Sequence, residues 1–325
     1  MEKIKSLFAL KAICAFFVII IHFPFIGKVY LDPITKISVP IFYMITGYFL
    51  FAQINESSKY KLYKAIKKTF YLILTSNLVY LIYNILTNNT KSTFQWNEFF
   101  RFIFIGDNIS GHLYFLTSYI WGIILLALFP ISTLKKYLPW LSLLILGNLL
   151  FGRYIFIIKD FLPENININN IPLGLKNNAI FLAIPCFSMG YIARKLQQKI
   201  SFKITSYLFI IFIILIYSEF FFLRYFLNIN SISAFLAITF PLSIITLLLF
   251  IKLNSKQFLL FNLGSLIGNK YSSDIYLWHP IIGNLIFPFI TFLKPFMAII
   301  IYTLCILLSH IINLVKNKYN ASISK

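Results

Sequence analysis

The stretch Leu7-Phe-Ala-Leu-Lys11-Ala-Ile-Cys-Ala-Phe-Phe-Val-Ile-Ile-Ile-His22 decides the fold class. It opens an apolar run, 7–27, close to the ~20 residues a helix needs to cross a hydrocarbon core of ~30 Å. The apolar residues are continuous, whereas strands of a membrane barrel alternate them with polar ones. The run therefore reads as a transmembrane helix. It is longer than the apolar centre of a secretory signal, ~7–15 residues, and lacks a small-residue cleavage site. No cleavable leader is expected.

The rest of the chain agrees. Of 325 residues, 59% are hydrophobic and 12% charged, against ~45–50% and ~25% in soluble domains. So few charges could not keep a soluble surface wet, which excludes a soluble enzyme. The net charge of +20 comes from 29 Lys and Arg against 9 Asp and Glu. In a membrane protein such an excess reports orientation, so no nucleic-acid partner is expected. Cys14, Cys186 and Cys305 lie far apart inside apolar runs. They fit no metal-ligand spacing and read as small apolar fillers. No metal is expected.

Ten spans are expected, at 7–27, 37–53, 69–87, 113–130, 138–151, 179–193, 204–223, 234–251, 273–292 and 295–315. The ninth contains Pro280 and Pro288 and is expected to kink. Nineteen Lys and Arg fall on the side of the two termini, nine on the opposite side, and Lys11 lies within the first span. This bias puts both termini in the cytoplasm. The expected fold is all-α and polytopic, one integral membrane domain over 1–325 without an attached soluble domain. No internal repeat is visible, which weighs against a transporter built from inverted repeats.

Polar groups inside a bilayer are costly and so mark function. Lys11 and His22 are eleven residues apart. That spacing returns to within ~20° of one helix face, with ~16 Å of rise between them. The two cannot touch but can line one channel. The alternative is that Lys11 snorkels and His22 bonds another helix. Lys64, Lys67 and Lys68, before the third span, share a face at helical spacing. Such a face holds a polyphosphate, or serves orientation and anionic lipid. His112, at the outer mouth of the fourth span, and Glu219, near the outer end of the seventh, are candidates for substrate binding. Arg224 is a candidate partner for Glu219. His279, read as ~10 Å from the inner face, is a candidate for the donor channel or for helix packing, ahead of the role of catalytic base. His310 reads as interfacial.

Five segments in order resemble the membrane acyltransferase 3 family. They are Lys11-x10-His22, Val39-Pro-Ile-Phe-Tyr-Met-Ile-Thr-Gly47-Tyr-Phe-Leu, the basic cluster before the third span, Gly111-His-Leu-Tyr-Phe-Leu116 and Tyr276-Leu-Trp-His279-Pro. The resemblance implies a ten-helix enzyme of a bacterial plasma membrane. It would move an acyl group, usually acetyl from cytoplasmic acetyl-CoA, to a hydroxyl of a surface or lipid-linked carbohydrate. The family's essential first-helix His maps onto His22, its basic companion onto Lys11, and its basic loop pair onto Lys64 with Lys67 or Lys68. The attached esterase domain of some members is not expected here. Lys stands where the family usually has Arg, and a lysine offers phosphate a point charge in place of a bidentate fork. Tyr114 replaces a usual Trp, and Asp274 stands where a small residue is commoner and is a candidate partner for Lys270.

Chemistry agrees with the resemblance. Attack of a hydroxyl on a thioester needs a base that works near neutral pH, and imidazole is one. An acylated His that passes the group on is equally open. The alternative class is a polysaccharide flippase, which would need no acetyl-CoA. A glycan polymerase is a third, disfavoured by the short outer loops.

Overall fold

The computed structural model describes residues 4–51, 56–87, 110–161, 177–229, 234–254 and 259–323. Among these the chain forms helices and no strand. In order they are α1 (Lys5–His22), α2 (Lys28–Thr35), α3 (Ser38–Leu50), α4 (Glu56–Leu86), α5 (Tyr114–Ala127), α6 (Ile131–Tyr137), α7 (Ile145–Leu150), α8 (Ile184–Leu196), α9 (Phe202–Phe221), α10 (Thr239–Leu253), α11 (Leu259–Lys270), α12 (Ser272–Ile286) and α13 (Met297–Ile323). Lipid offers the backbone no hydrogen-bond partner, so apolar runs of this kind satisfy themselves as helices.

Among the described residues, five stretches are long and apolar enough to cross a membrane: Lys5–His22, Lys59–Leu86, Ala179–Leu196, Phe202–Phe226 and Phe292–Lys318. The protein is a multi-pass membrane protein. The bent pair Gly111–Ala127 and Ile131–Leu150 would be a sixth span, and Thr239–Leu253 is a shorter apolar helix. The other expected spans are broken or short, for identifiable reasons. Pro130 stands at the 115° bend between α5 and α6, because a proline disfavours helical geometry in the residue before it. The expected fifth span opens on a 3-10 segment, Leu138–Leu144, and only then becomes α7. The expected ninth span begins on α12, which follows a further helix, α11, across a break at Tyr271. Pro280 sits inside α12, which ends at Ile286, short of Pro288.

The chain divides into two compact units, Met1–Val39 with Thr246–Lys325, and Pro40–Ile245. The first is organised by α1 lying parallel to α11 and α12. Lys5 Nζ donates to Asn262 Oδ1 at 3.2 Å, and a Cβ on Gly264 would meet the Ala9 methyl at 3.0 Å. A Cβ on Gly268 would collide with the Phe8 carbonyl, and one on Gly283 with the Phe23 ring. The contacts advance together along both strands of chain. Small residues at a spacing of four let two membrane helices approach backbone to backbone. Tyr302 of α13 donates to the Ala12 carbonyl at 3.0 Å and fixes the third side of α1.

In the second unit, α3 and α8 cross where Gly47 faces the Phe187 backbone and Gly190 the Met44 backbone. Aromatic rings fill the space beside the crossing. Tyr43 lies 4.5 Å from Phe115, and Tyr119 5.5 Å from Phe187. Arg153 is buried and donates through two nitrogens to the Ala234 carbonyl, at 3.0 and 3.3 Å.

Candidate active site

His22 is the last residue of α1, and the sequence that follows explains why the helix stops there. Pro24 forces Phe23 into extended geometry, φ −121° and ψ 158°. Gly27 then turns through φ +67°, a left-handed conformation that favours glycine, and α2 begins. Stopping the helix leaves its final carbonyls without partners. Lys28 answers them, its Nζ donating to the Ile21 carbonyl at 2.9 Å and the Phe23 carbonyl at 3.2 Å. A cation at the negative end of a helix is favourable. Partial burial pushes the Lys28 ammonium below the usual lysine range, and Asp32 opposes that shift.

The His22 side chain is exposed. Its ring stands 5.4 Å from the ring of His279, centroid to centroid, with planes inclined by 40°. His279 is fully buried. Its Nδ1 lies 3.1 Å from the Ile275 carbonyl oxygen, one turn back on α12. Phe23 presents itself edge-on at 6.4 Å and Tyr276 lies at 6.2 Å. Lys28 and Lys36 both act electrostatically on His22. Lys36 is itself buried, 3.5 Å from Asp32.

The site therefore gathers His22, His279, Lys28 and the Asp32–Lys36 pair within the first unit. Counting from the expected start of its span placed His279 low, in a donor channel. The structure places it beside His22 because the helical path starts earlier, at Leu259. Seventeen residues separate Lys5 from His22, and seventeen separate Asn262 from His279. With Lys5 bonded to Asn262, equal rise along parallel helices brings the two histidines level. Lys28, Asp32 and Lys36 entered the sequence reading only as loop charges. The available signals were the basic residue six positions after His22 and the acid–base pair at i,i+4.

Lys11 lies partly buried on α1, which runs unbroken from Lys5 to His22, so the eleven-residue spacing between them is helical throughout. Lys64, Lys67, Lys68, His112, Tyr114 and Glu219 belong to the second unit, and His310 and Asp274 to the first. Lys64, Lys67 and Lys68 are exposed on α4, whose helix begins at Glu56, ahead of the expected span. His112 is packed edge-on against Tyr80 at 5.1 Å, with Ser110 Oγ 2.8 Å from its Nδ1. Tyr114 opens α5. His310 pairs with the Tyr271 hydroxyl at 3.0 Å, and Asp274 lies within electrostatic reach of Lys316, where sequence proximity pointed to Lys270.

Glu219 has a structural task. Its Oε1 accepts the Ala237 N–H at 2.7 Å and its Oε2 the Ile238 N–H at 2.9 Å. These amides immediately precede α10, so the carboxylate caps that helix. Arg224 does not take the role of partner; its guanidinium lies 5.9 and 5.8 Å from the rings of Phe220 and Tyr225. Both carboxylate oxygens are engaged in charge-assisted bonds, so Glu219→Gln should lose ~1–3 kcal/mol of stability. The expected result is a lower melting temperature for the detergent-solubilised protein, measured by fluorescence-detected size exclusion.

A family model described as an acyltransferase domain, of the acyltransferase 3 family, matches residues 4–315. An amino-acid racemase of Enterococcus faecalis is 27% identical over 271 residues. The alignment covers 80% of this chain and 37% of that protein. No solved structure matches the chain significantly.

Proposed function

Because the chain belongs to the acyltransferase 3 family, we propose that it is an integral membrane O-acetyltransferase of a bacterial plasma membrane. It moves the acetyl group of cytoplasmic acetyl-CoA to a hydroxyl of an envelope carbohydrate, with ten spans and both termini inside. The observation that carries this reading is His22 at the open end of α1, exposed and set against a buried imidazole. The racemase activity named for the relative belongs to a protein of which this chain spans 37%, and it is not carried over.

In the proposed reaction His22 accepts the proton of the acceptor hydroxyl as its oxygen bonds to the thioester carbonyl carbon. The carbon–sulfur bond then breaks, and the imidazolium returns that proton to the departing thiolate. Lys11 on α1 is assigned to the donor's phosphates; within the second unit, Lys64, Lys67 and Lys68 on α4 are candidates for phosphate and His112 is a candidate for the acceptor. Ammonium groups suit that task as point charges.

The test is to incubate membranes containing the protein with acetyl-CoA labelled in its acetyl group and an envelope glycan fraction. Label in alkali-labile ester on the glycan is the expected result. A flippase would move glycan across the membrane and leave it unlabelled, which would overturn the proposal.

A further inference from the structure

We infer that His279 is a positioning residue for His22, a fixed imidazole that holds the reactive ring in one tautomer and one orientation. The inference rests on the function proposed above and adds a residue and a role to it. A carbonyl oxygen only accepts, so the contact with Ile275 places the proton of His279 on Nδ1. The neutral ring then keeps its lone pair on Nε2. Centroids 5.4 Å apart leave about 3 Å between two ring nitrogens turned toward one another, which is hydrogen-bonding distance.

The consequence follows from the two nitrogens of one ring. When the N–H of His22 is given to His279, the remaining nitrogen of His22 carries the lone pair and faces the acceptor hydroxyl. The arrangement matches the logic of a base oriented by a third group. The mobility is also divided correctly. His279 is fully buried, bonded to its own helix and bordered by Phe23 and Tyr276. His22 is exposed and can meet substrate. The charged groups near His22 are Lys28 and Lys36, the latter paired with Asp32. They neighbour His22 on the side of α2, while the α12 side offers a neutral acceptor.

Three substitutions of the full-length chain, in its own membranes, separate this role from packing. His279→Gln keeps an acceptor where Nε2 stood. His279→Asn keeps a donor near the Ile275 carbonyl and loses that acceptor. His279→Phe keeps only a ring. Turnover of labelled acetyl-CoA should fall ~100-fold for His279→Asn and His279→Phe, the scale of loss for a misplaced reacting group. KM for acetyl-CoA should stay within about threefold, and His279→Gln should recover turnover to within about tenfold of the original. Protein amount and elution profile should match the unsubstituted protein in all three.

Full turnover by His279→Phe or His279→Asn overturns the inference, as does a change carried by KM alone. Failure of His279→Gln to recover turnover while eluting normally overturns it too. Absence of transfer by the unsubstituted protein overturns the proposed function and this inference together, whereas normal transfer by all variants overturns the inference alone.

Discussion

His22→Ala is expected to reduce acetyl transfer by ~10²–10⁴-fold, the usual contribution of a positioned general base. The protein should still reach the membrane in normal amount. His22 is exposed at the last position of α1, and alanine is the best helix former, so the substitution removes an imidazole without opening a cavity. The cap formed by Lys28 on the Ile21 and Phe23 carbonyls does not involve the His22 side chain. Transfer of labelled acetyl to glycan, normalised to protein detected in the membrane, is the measurement. Undiminished transfer would end the assignment of His22 as base or acyl carrier.

Gly268→Leu is expected to have the largest effect on folding. A side chain there meets the carbonyl of Phe8 and the amide of Ala12. These are backbone atoms of α1, and no change of side-chain rotamer moves them away. Overpacking of a well-filled core costs ~1–3 kcal/mol even when side chains yield, and here the helices themselves must separate. Separation would pull His279 away from His22, so activity and stability should fall together. Gly111→Leu is the contrast, since nothing lies within 4 Å of a Cβ at that position. Melting of the two purified variants, followed by fluorescence-detected size exclusion, should show a large drop for Gly268→Leu and little change for Gly111→Leu.

Much of the site was legible from residue types. His22 stood out because an imidazole inside an apolar run is expensive unless it works, and the ordered motifs pointed to the family whose model covers residues 4–315. Glu219 was singled out by the same reasoning, yet its partners are backbone amides of residues eighteen and nineteen positions away. No pattern of side chains announces a carboxylate that caps another helix. His279 was recognised, but not as a neighbour of His22. Hydropathy located a span beginning near 273 and was blind to α11, whose glycines and polar residues, Asn262, Gly264, Gly268 and Asn269, dilute the apolar signal.

By itself the sequence determined a helical, multi-pass membrane protein and the uneven placing of its cations along the chain. These follow from the cost of transferring each residue to lipid, a property of the residues alone. Only the tertiary structure decided which polar groups meet. The approach of α1 to α11 through Ala9, Gly264 and Gly268 sets the depth of one helix against the other. That register, and no property of either segment taken singly, puts the two imidazoles side by side.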